Sequence, residues 1–189
     1  MYMIQTPRLL LRQWRPEDRE PFARMNADPR VMRFFPACLS REESGALADR
    51  IVREFEERGW GAYAAELRAD GSFLGFIGLS VPGFEAHFTP CVEIGWRLAA
   101  PYWNRGLATE GASAVVRHAF DVLGLAEIVS FTTECNLPSR RVMEKIGMTR
   151  DPADDFNHPS LPEGHTLRPH VLYRLRAGSH SSILLPSAS

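Results

Sequence analysis

A tight turn at residues 104–108 joins a strand-like segment to a helix-like segment, and its residue types suit the binding of an anion. Residues 92–98 are rich in apolar, β-branched and aromatic residues, which is typical of a strand. From about Ala108 apolar residues recur every three or four positions, which predicts a helix that ends at Gly124. A strand, a glycine turn and a helix N-terminus bring free backbone N–H groups to one point, where a pyrophosphate would fit. The small residues Gly106 and Ala108 would let phosphates approach the backbone closely.

The turn alone does not identify a ligand, because an ordinary strand-to-helix connection has the same pattern. It has neither the Gly-Lys-Ser/Thr of a P-loop nor the GxGxxG of a dinucleotide turn. A second segment, Asn-Leu-Pro-Ser-Arg-Arg-Val-Met-Glu-Lys-Ile-Gly-Met at residues 136–148, follows it. With these two segments in that order, and with Thr-Pro-Arg-Leu-Leu-Leu-Arg at residues 6–12, the chain resembles the GNAT family of acetyl-CoA-dependent N-acetyltransferases. The resemblance runs from about residue 4 to about residue 176 and is greatest to the RimJ/RimL-like, ribosomal-protein-type branch.

The resemblance implies an activity, a cosubstrate and a set of site residues. The expected reaction is direct transfer of acetyl from acetyl-CoA to a primary amine, either a protein N-terminus or a small molecule, within a ternary complex. Backbone amides of the central strand would pair with the pantetheine arm, and amides of the turn would hold the pyrophosphate. The residues expected to bind acetyl-CoA are Trp96, Arg97, Leu98, Trp103, Asn104, Arg105, Gly106, Leu107, Ala108, Thr109, Asn136 and Ser139. The side chains of Trp96 and Leu98 fit alternate positions of a buried strand equally well.

Two residues are candidates for catalysis, Glu93 and Ser139. Glu93 puts a charge into an apolar strand, where burial is costly without a partner or water. The resemblance implies that it takes the proton of the amine, and a salt-bridged or surface glutamate is the alternative. Met143 stands where many members carry a proton-donating tyrosine, so we expect the hydroxyl of Ser139, one helical turn earlier, to stabilise the leaving thiolate. Glu110, in the first turn of the phosphate helix, would repel phosphates and is expected to point away.

Other polar residues have both a structural and a functional interpretation. Asn136 has the spacing of a helix N-cap, and the resemblance adds a contact to the arm of the cosubstrate. His158, His165 and His170 flank a late loop and lie either at the surface or at the acceptor site. Because none of the six histidines has metal-ligand spacing with another, no metal is expected.

Composition narrows the class of protein. At 189 residues and 21.3 kDa we expect one domain over residues 1–176 and a tail over residues 177–189. The net charge of −1 argues against a nucleic-acid partner, and no stretch is long enough to span a membrane. Three cysteines without a CxxC motif predict no disulfide framework and a reducing, cytoplasmic location, with Cys135 as a small buried residue. The oligomeric state, monomer or homodimer, stays open.

The order of predicted elements, β-α-α-β-β-β-α-β-α-β, indicates an α/β fold. The resemblance implies the GNAT arrangement: a mixed, mostly antiparallel central sheet with helices on both faces and splayed central strands. A capping box at residues 40–43 predicts the start of a long helix, whereas residues 151–169 are expected to form a long loop. Two rival interpretations are a GNAT-fold module that binds acyl-CoA without turnover and an unrelated α/β domain with accidental motif likenesses.

Overall fold

The computed structural model describes residues 3–178 as an α/β fold built on one nine-stranded sheet. The strands are β1 (Ile4–Gln5), β2 (Leu9–Arg12), β3 (Ala62–Leu67), β4 (Phe73–Ser80), β5 (Glu93–Leu98), β6 (Glu127–Thr133), β7 (Thr149–Arg150), β8 (Phe156–Asn157) and β9 (Pro169–Arg176). The helices are α1 (Arg19–Asn26), α2 (Pro29–Met32), α3 (Arg41–Arg58), α4 (Leu107–Arg117) and α5 (Leu137–Lys145). The strand order is β1-β2-β3-β4-β5-β6-β9-β7 with β8 beside β9. The sheet is mostly antiparallel, as predicted.

Helices cover both faces of this sheet. Neighbouring residues of each strand point to opposite sides, so each strand contributes side chains to both layers of helices. On β4, Ile77 belongs to the core beneath α4, whereas Phe76 packs with the residues of α1 and α3. Helix α4 lies close on the sheet: a Cβ at Gly111 would come within 2.4 Å of the Ile77 side chain. The predicted capping box is present, since the Ser40 hydroxyl accepts from the Glu43 amide and the Glu43 carboxylate accepts from the Ser40 amide.

Strands β5 and β6 are the only parallel pair among residues 3–178, and they splay apart. They pair at one position, Glu93 opposite Val129, with a hydrogen bond of 2.9 Å from the Val129 amide to the Val92 carbonyl. Beyond that point the edge of β5 that faces β6, residues 94–98, has no strand partner. The splayed central strands implied by the resemblance are therefore present.

The structure differs from the predictions in several local details. Helix α4 begins at Leu107, and its continuation over His118–Val122 is a π-helix rather than an α-helix. The segment 151–169 contains β8, which pairs with β9, so the predicted long loop is wrong in part. Strands β1, β7 and β8 are too short to show an alternation of apolar and polar residues in the sequence, and they form because they pair with neighbouring strands. Residues 179–189 of the predicted tail lie outside the described residues.

The helices found between residues 3 and 178 do not include one with the length and hydropathy needed to cross a membrane.

Candidate active site

The turn before α4 has a backbone shape that exposes amides. Asn104 and Gly106 both adopt positive φ angles, 57° and 75°, and Gly106 forms the N-cap of α4. No side chain caps this helix end. The first amides of an α-helix have no intrahelical acceptor, so those of Leu107, Ala108 and Thr109 are available to an anion. The geometry fits the predicted phosphate turn.

Sequence analysis missed a set of hydrogen bonds from Arg8 that hold this turn in place. Arg8 donates to Glu110 over 2.6 Å and to the Arg105 carbonyl over 2.9 Å. The Glu110 carboxylate also accepts from the Thr6 hydroxyl and the Arg8 amide. Burial raises the pKa of Glu110, but these hydrogen bonds outweigh it and lower the pKa. Glu110 therefore has a structural role, as expected, and faces the connection between β1 and β2. The sequence held no local signal that Arg8 is its partner.

Strand β5 divides its side chains between the two faces of the sheet. Trp96 and Leu98 pack with the core on the α4 side, so their side chains occupy alternate positions of a buried strand. The Leu98 carbonyl accepts from the Trp103 indole over 2.7 Å, which ties the turn to the end of the strand. Trp103 itself is 40% exposed. What β5 offers a ligand is its open backbone edge rather than these side chains.

Glu93 lies at the point where β5 and β6 part, on the face opposite α4. Burial raises its pKa to about 8, and a 3.3 Å hydrogen bond from the Ser80 hydroxyl offsets only part of this. No salt bridge of Glu93 is found within residues 3–178, where its side-chain hydrogen bond comes from Ser80. The missing side chain of Gly95 leaves space beside the carboxylate: a Cβ there would lie 4.0 Å from Glu93 Oε1. A carboxyl group with a pKa near neutrality can exchange protons at physiological pH.

Asn136 and Ser139 form one hydrogen-bonded unit at the start of α5. The Asn136 carbonyl oxygen accepts from the Ser139 amide over 3.3 Å, which is the predicted N-cap. The Asn136 amide group donates to the Ser139 hydroxyl oxygen over 3.1 Å and to Thr132 over 2.9 Å. The Ser139 hydroxyl hydrogen thus stays free to donate elsewhere. Met143, by contrast, is only 2% exposed and belongs to the core.

The remaining polar predictions have mixed outcomes. His158 and His170 are half-buried with ring centroids 5.0 Å apart, so neither is a fully exposed surface residue. They join an aromatic cluster with Phe84, Phe131 and Phe156 over β6 and β9, and burial lowers the pKa of both. His165, also half-buried, instead accepts a hydrogen bond from the Leu167 amide.

Cys135 is exposed, so its predicted burial is wrong. It lies outside the sheet, in the short connection between the end of β6 and Asn136, the N-cap of α5.

Metal ligands do not converge anywhere in residues 3–178, where no group of three or more His, Cys, Asp or Glu side chains could hold an ion.

Comparison with known proteins identifies the family. Residues 8–149 match the family model of the acetyltransferase (GNAT) domain. The uncharacterized N-acetyltransferase YnaD of Bacillus subtilis is 30% identical over 163 residues, which cover 86% of this chain and 89% of that protein. The FsC-acetyl coenzyme A-N(2)-transacetylase of Aspergillus fumigatus is 33% identical over 153 residues, 77% of this chain and 64% of that protein.

Solved structures agree with this assignment. A GNAT-family acetyltransferase from Bacillus anthracis superimposes with a TM-score of 0.76 at 25% identity, covering 94% of this chain and 99% of its own. The matched sequence includes the phosphate turn, the splayed strand β5 and helix α5. This protein therefore belongs to the GNAT family of acetyltransferases.

Proposed function

We propose that this acetyltransferase moves acetyl from acetyl-CoA to a primary amine by direct attack within a ternary complex. The observation that carries the proposal is the gap between β5 and β6, which begins at Glu93 and runs toward the phosphate turn. A donor lying along the open edge of β5 would have its phosphates at one end and its thioester near Glu93. Acetyl-CoA is the cosubstrate of the family, and the residues present fit it.

Three parts of the chain would hold acetyl-CoA. The amides of residues 106–109 would bind the pyrophosphate at the N-terminus of α4. The unpaired edge of residues 94–98 would accept and donate hydrogen bonds along the pantetheine arm. Asn136, fixed by Thr132 and Ser139, follows the end of β6 across the gap and would contact the same arm. When bound, the thioester supplies an activated acetyl group.

Glu93 and Ser139 then divide the proton chemistry. The amine nitrogen forms a bond to the acetyl carbon, the carbon–sulfur bond breaks, and the proton of the amine passes to Glu93, directly or through water. The sulfur leaves as a thiolate, which accepts a hydrogen bond from the Ser139 hydroxyl and then takes a proton from solvent. The products are an acetamide and free CoA. Ser139 is a hydrogen-bond donor in this scheme rather than an acid, because a serine hydroxyl is too weak an acid.

We propose a peptide N-terminus or a small amine as the acceptor, with the ribosomal-protein-type branch suggested by the motif at residues 104–110. The acceptor would approach Glu93 from the face opposite α4. The free thiols of Cys38, Cys91 and Cys135 fit a reducing compartment, and we assign the enzyme to the cytoplasm. It would work without nucleic acid, as a monomer or homodimer.

A second candidate function, binding of acyl-CoA without turnover, is favoured by one observation. Met143 occupies the position of the expected proton donor and is buried in the core. The two functions differ in a thiol-release assay with acetyl-CoA and a panel of peptides and small amines, followed by mass spectrometry of the amine. Release of CoA matched by acetylated amine, and lowered by Glu93→Gln, supports transfer. Tight acetyl-CoA binding without any acetylated amine would support the non-catalytic function.

A further inference from the structure

Arg97 is a cation that has no anionic partner within residues 3–178. Its Nη1 donates to the Asn26 side-chain oxygen over 2.7 Å, and its guanidinium lies over Phe35 and Phe76, at 4.1 and 5.6 Å from the ring centroids. The Nε atom is buried and has no hydrogen-bond acceptor within residues 3–178. Burial lowers the pKa of Arg97 to about 10, so the side chain stays charged at neutral pH.

Two other arginines with little exposure, Arg12 and Arg174, are paired with carboxylates instead. Arg12 contacts Asp18 and Glu66, each at 2.7 Å. Arg174 contacts Glu127 at 2.9 Å and Asp154 at 2.7 Å, each through a carboxylate oxygen. These are structural ion pairs in which carboxylates compensate the desolvated charge. Among the described residues Arg97 contacts only a neutral amide and two rings, so none of them compensates its charge and its planar donor fork is incompletely used.

The position of Arg97 relates this charge to the reaction. Alternate residues of a strand share a face, so Arg97 lies on the same side of β5 as Glu93 and Gly95. Gly95 and Arg97 are separated by roughly 7 Å along the strand, and the Glu93 carboxylate leans toward Gly95. Phe35, which is 38% exposed, forms the outer wall over the guanidinium. A molecule beside Glu93 would have to extend past Gly95, by roughly 7 Å along the strand, to reach Arg97.

We propose that the amine acceptor carries a carboxylate, which Arg97 binds while the amine lies beside Glu93. The inference rests on the proposed transfer to an amine and specifies the class of acceptor. A guanidinium recognises a carboxylate through charge and through paired hydrogen bonds, so an uncharged carboxamide of the same shape binds less well. Asn26 acts as a positioning residue: the Ser44 hydroxyl oxygen accepts from its amide group over 3.3 Å, which turns its carbonyl oxygen toward Arg97.

The test compares matched amines. Linear ω-amino acids with two to six carbons, and the dipeptide glycylglycine, are each assayed against the corresponding carboxamide, and kcat/KM is measured for every pair. The wild-type protein is expected to prefer the carboxylate in at least one pair by about tenfold or more, chiefly through KM. Arg97→Gln should reduce this ratio to about one, and Arg97→Lys should retain part of it because the positive charge remains.

Two further variants separate recognition from folding. Asn26→Asp puts a carboxylate against Arg97 within the chain, so the preference should disappear although the arginine is intact. Arg33→Gln removes an exposed cation that stacks on Phe34 nearby, and the preference should be unchanged. Thermal unfolding of each variant shows that it is folded under assay conditions.

Calorimetric binding of the same amines with CoA present gives a readout independent of turnover. Equal kcat/KM for acid and carboxamide in every pair would overturn the Arg97 assignment and leave the transferase function standing. If no amine is acetylated, the proposed function fails. In that case selective binding of an acid by the wild-type protein and not by Arg97→Gln would still support the anion site, and the absence of such binding would overturn it.

Discussion

Replacing Glu93 with glutamine should change the stability of the protein in a manner that depends on pH. The carboxyl group has no cationic partner within residues 3–178, and burial raises its pKa to about 8 from an ordinary value of 4.5. Below the ordinary value the carboxyl is protonated in both the folded and the unfolded chain, so it contributes no pH dependence. Between the two values only the folded chain keeps the proton, and the free energy of unfolding falls as the pH rises.

The size of this effect follows from the two pKa values. Each pH unit within the window lowers the free energy of unfolding by about 1.4 kcal/mol, and the whole window corresponds to about 5 kcal/mol. This is an upper limit, because part of the Glu93 side chain touches solvent and water screens its charge. Glutamine keeps the shape and cannot ionise. The variant should therefore gain stability relative to the wild-type protein as the pH rises from about 5 to about 8.

Urea unfolding of both proteins at several pH values measures this difference directly. Taking the difference between the two proteins cancels the contribution of His118, His158 and His170. Burial lowers the pKa values of these histidines, so they make the free energy of unfolding rise with pH, opposite to the effect of Glu93. Glu127→Gln is the matched control: Glu127 faces Arg174 and Arg176, so its loss should bring no stabilisation at high pH. A stability difference for Glu93→Gln that is constant across the pH range would refute the claim that this carboxyl is desolvated.

Three further substitutions test the other parts of the site. Gly106→Val should weaken acetyl-CoA binding about tenfold or more in calorimetry, because a branched residue is strained at a φ of 75°. The control is Gly59→Val, which has the same φ at the end of α3 and should lower stability without changing acetyl-CoA affinity. If the Gly106→Val and Gly59→Val variants bind acetyl-CoA with equal affinity, the turn is not part of the binding site. Ser139→Ala should lower kcat about tenfold at an unchanged melting temperature, and an unchanged kcat would end its assignment to the thiolate. Arg8→Gln should weaken acetyl-CoA binding severalfold while lowering the free energy of unfolding by less than about 1 kcal/mol, and undiminished affinity would show that bracing the turn is unnecessary.

The sequence predicted those features that are encoded locally. The helical period after Ala108 and the capping box at Ser40 each depend on residues a few positions apart, and each is present. The backbone shape of the turn before α4 belongs to this group, because a positive φ at Gly106 follows from the residue type and the neighbouring strand and helix. The N-cap at Asn136 was predictable for the same reason.

The features that sequence analysis missed depend on contacts between distant residues. The Arg8–Glu110 ion pair spans 102 positions, and the Asn26–Arg97 hydrogen bond spans 71. No local pattern predicts that Glu93 is desolvated, since that depends on what the neighbouring strands and loops put around it. Two-residue strands such as β8 exist only through their pairing with β9. Tertiary packing determines all of these, and a single sequence contains no direct record of it.

The central claim is that the gap between β5 and β6 and the turn at residues 104–109 bind acetyl-CoA. Calorimetric titration of the purified protein with acetyl-CoA, with dephospho-CoA and NADH as controls, tests it most directly. Selective binding of acetyl-CoA at one site is the predicted result. Failure to bind acetyl-CoA would contradict the account, and Gly106, Glu93 and Ser139 would then be structural residues only.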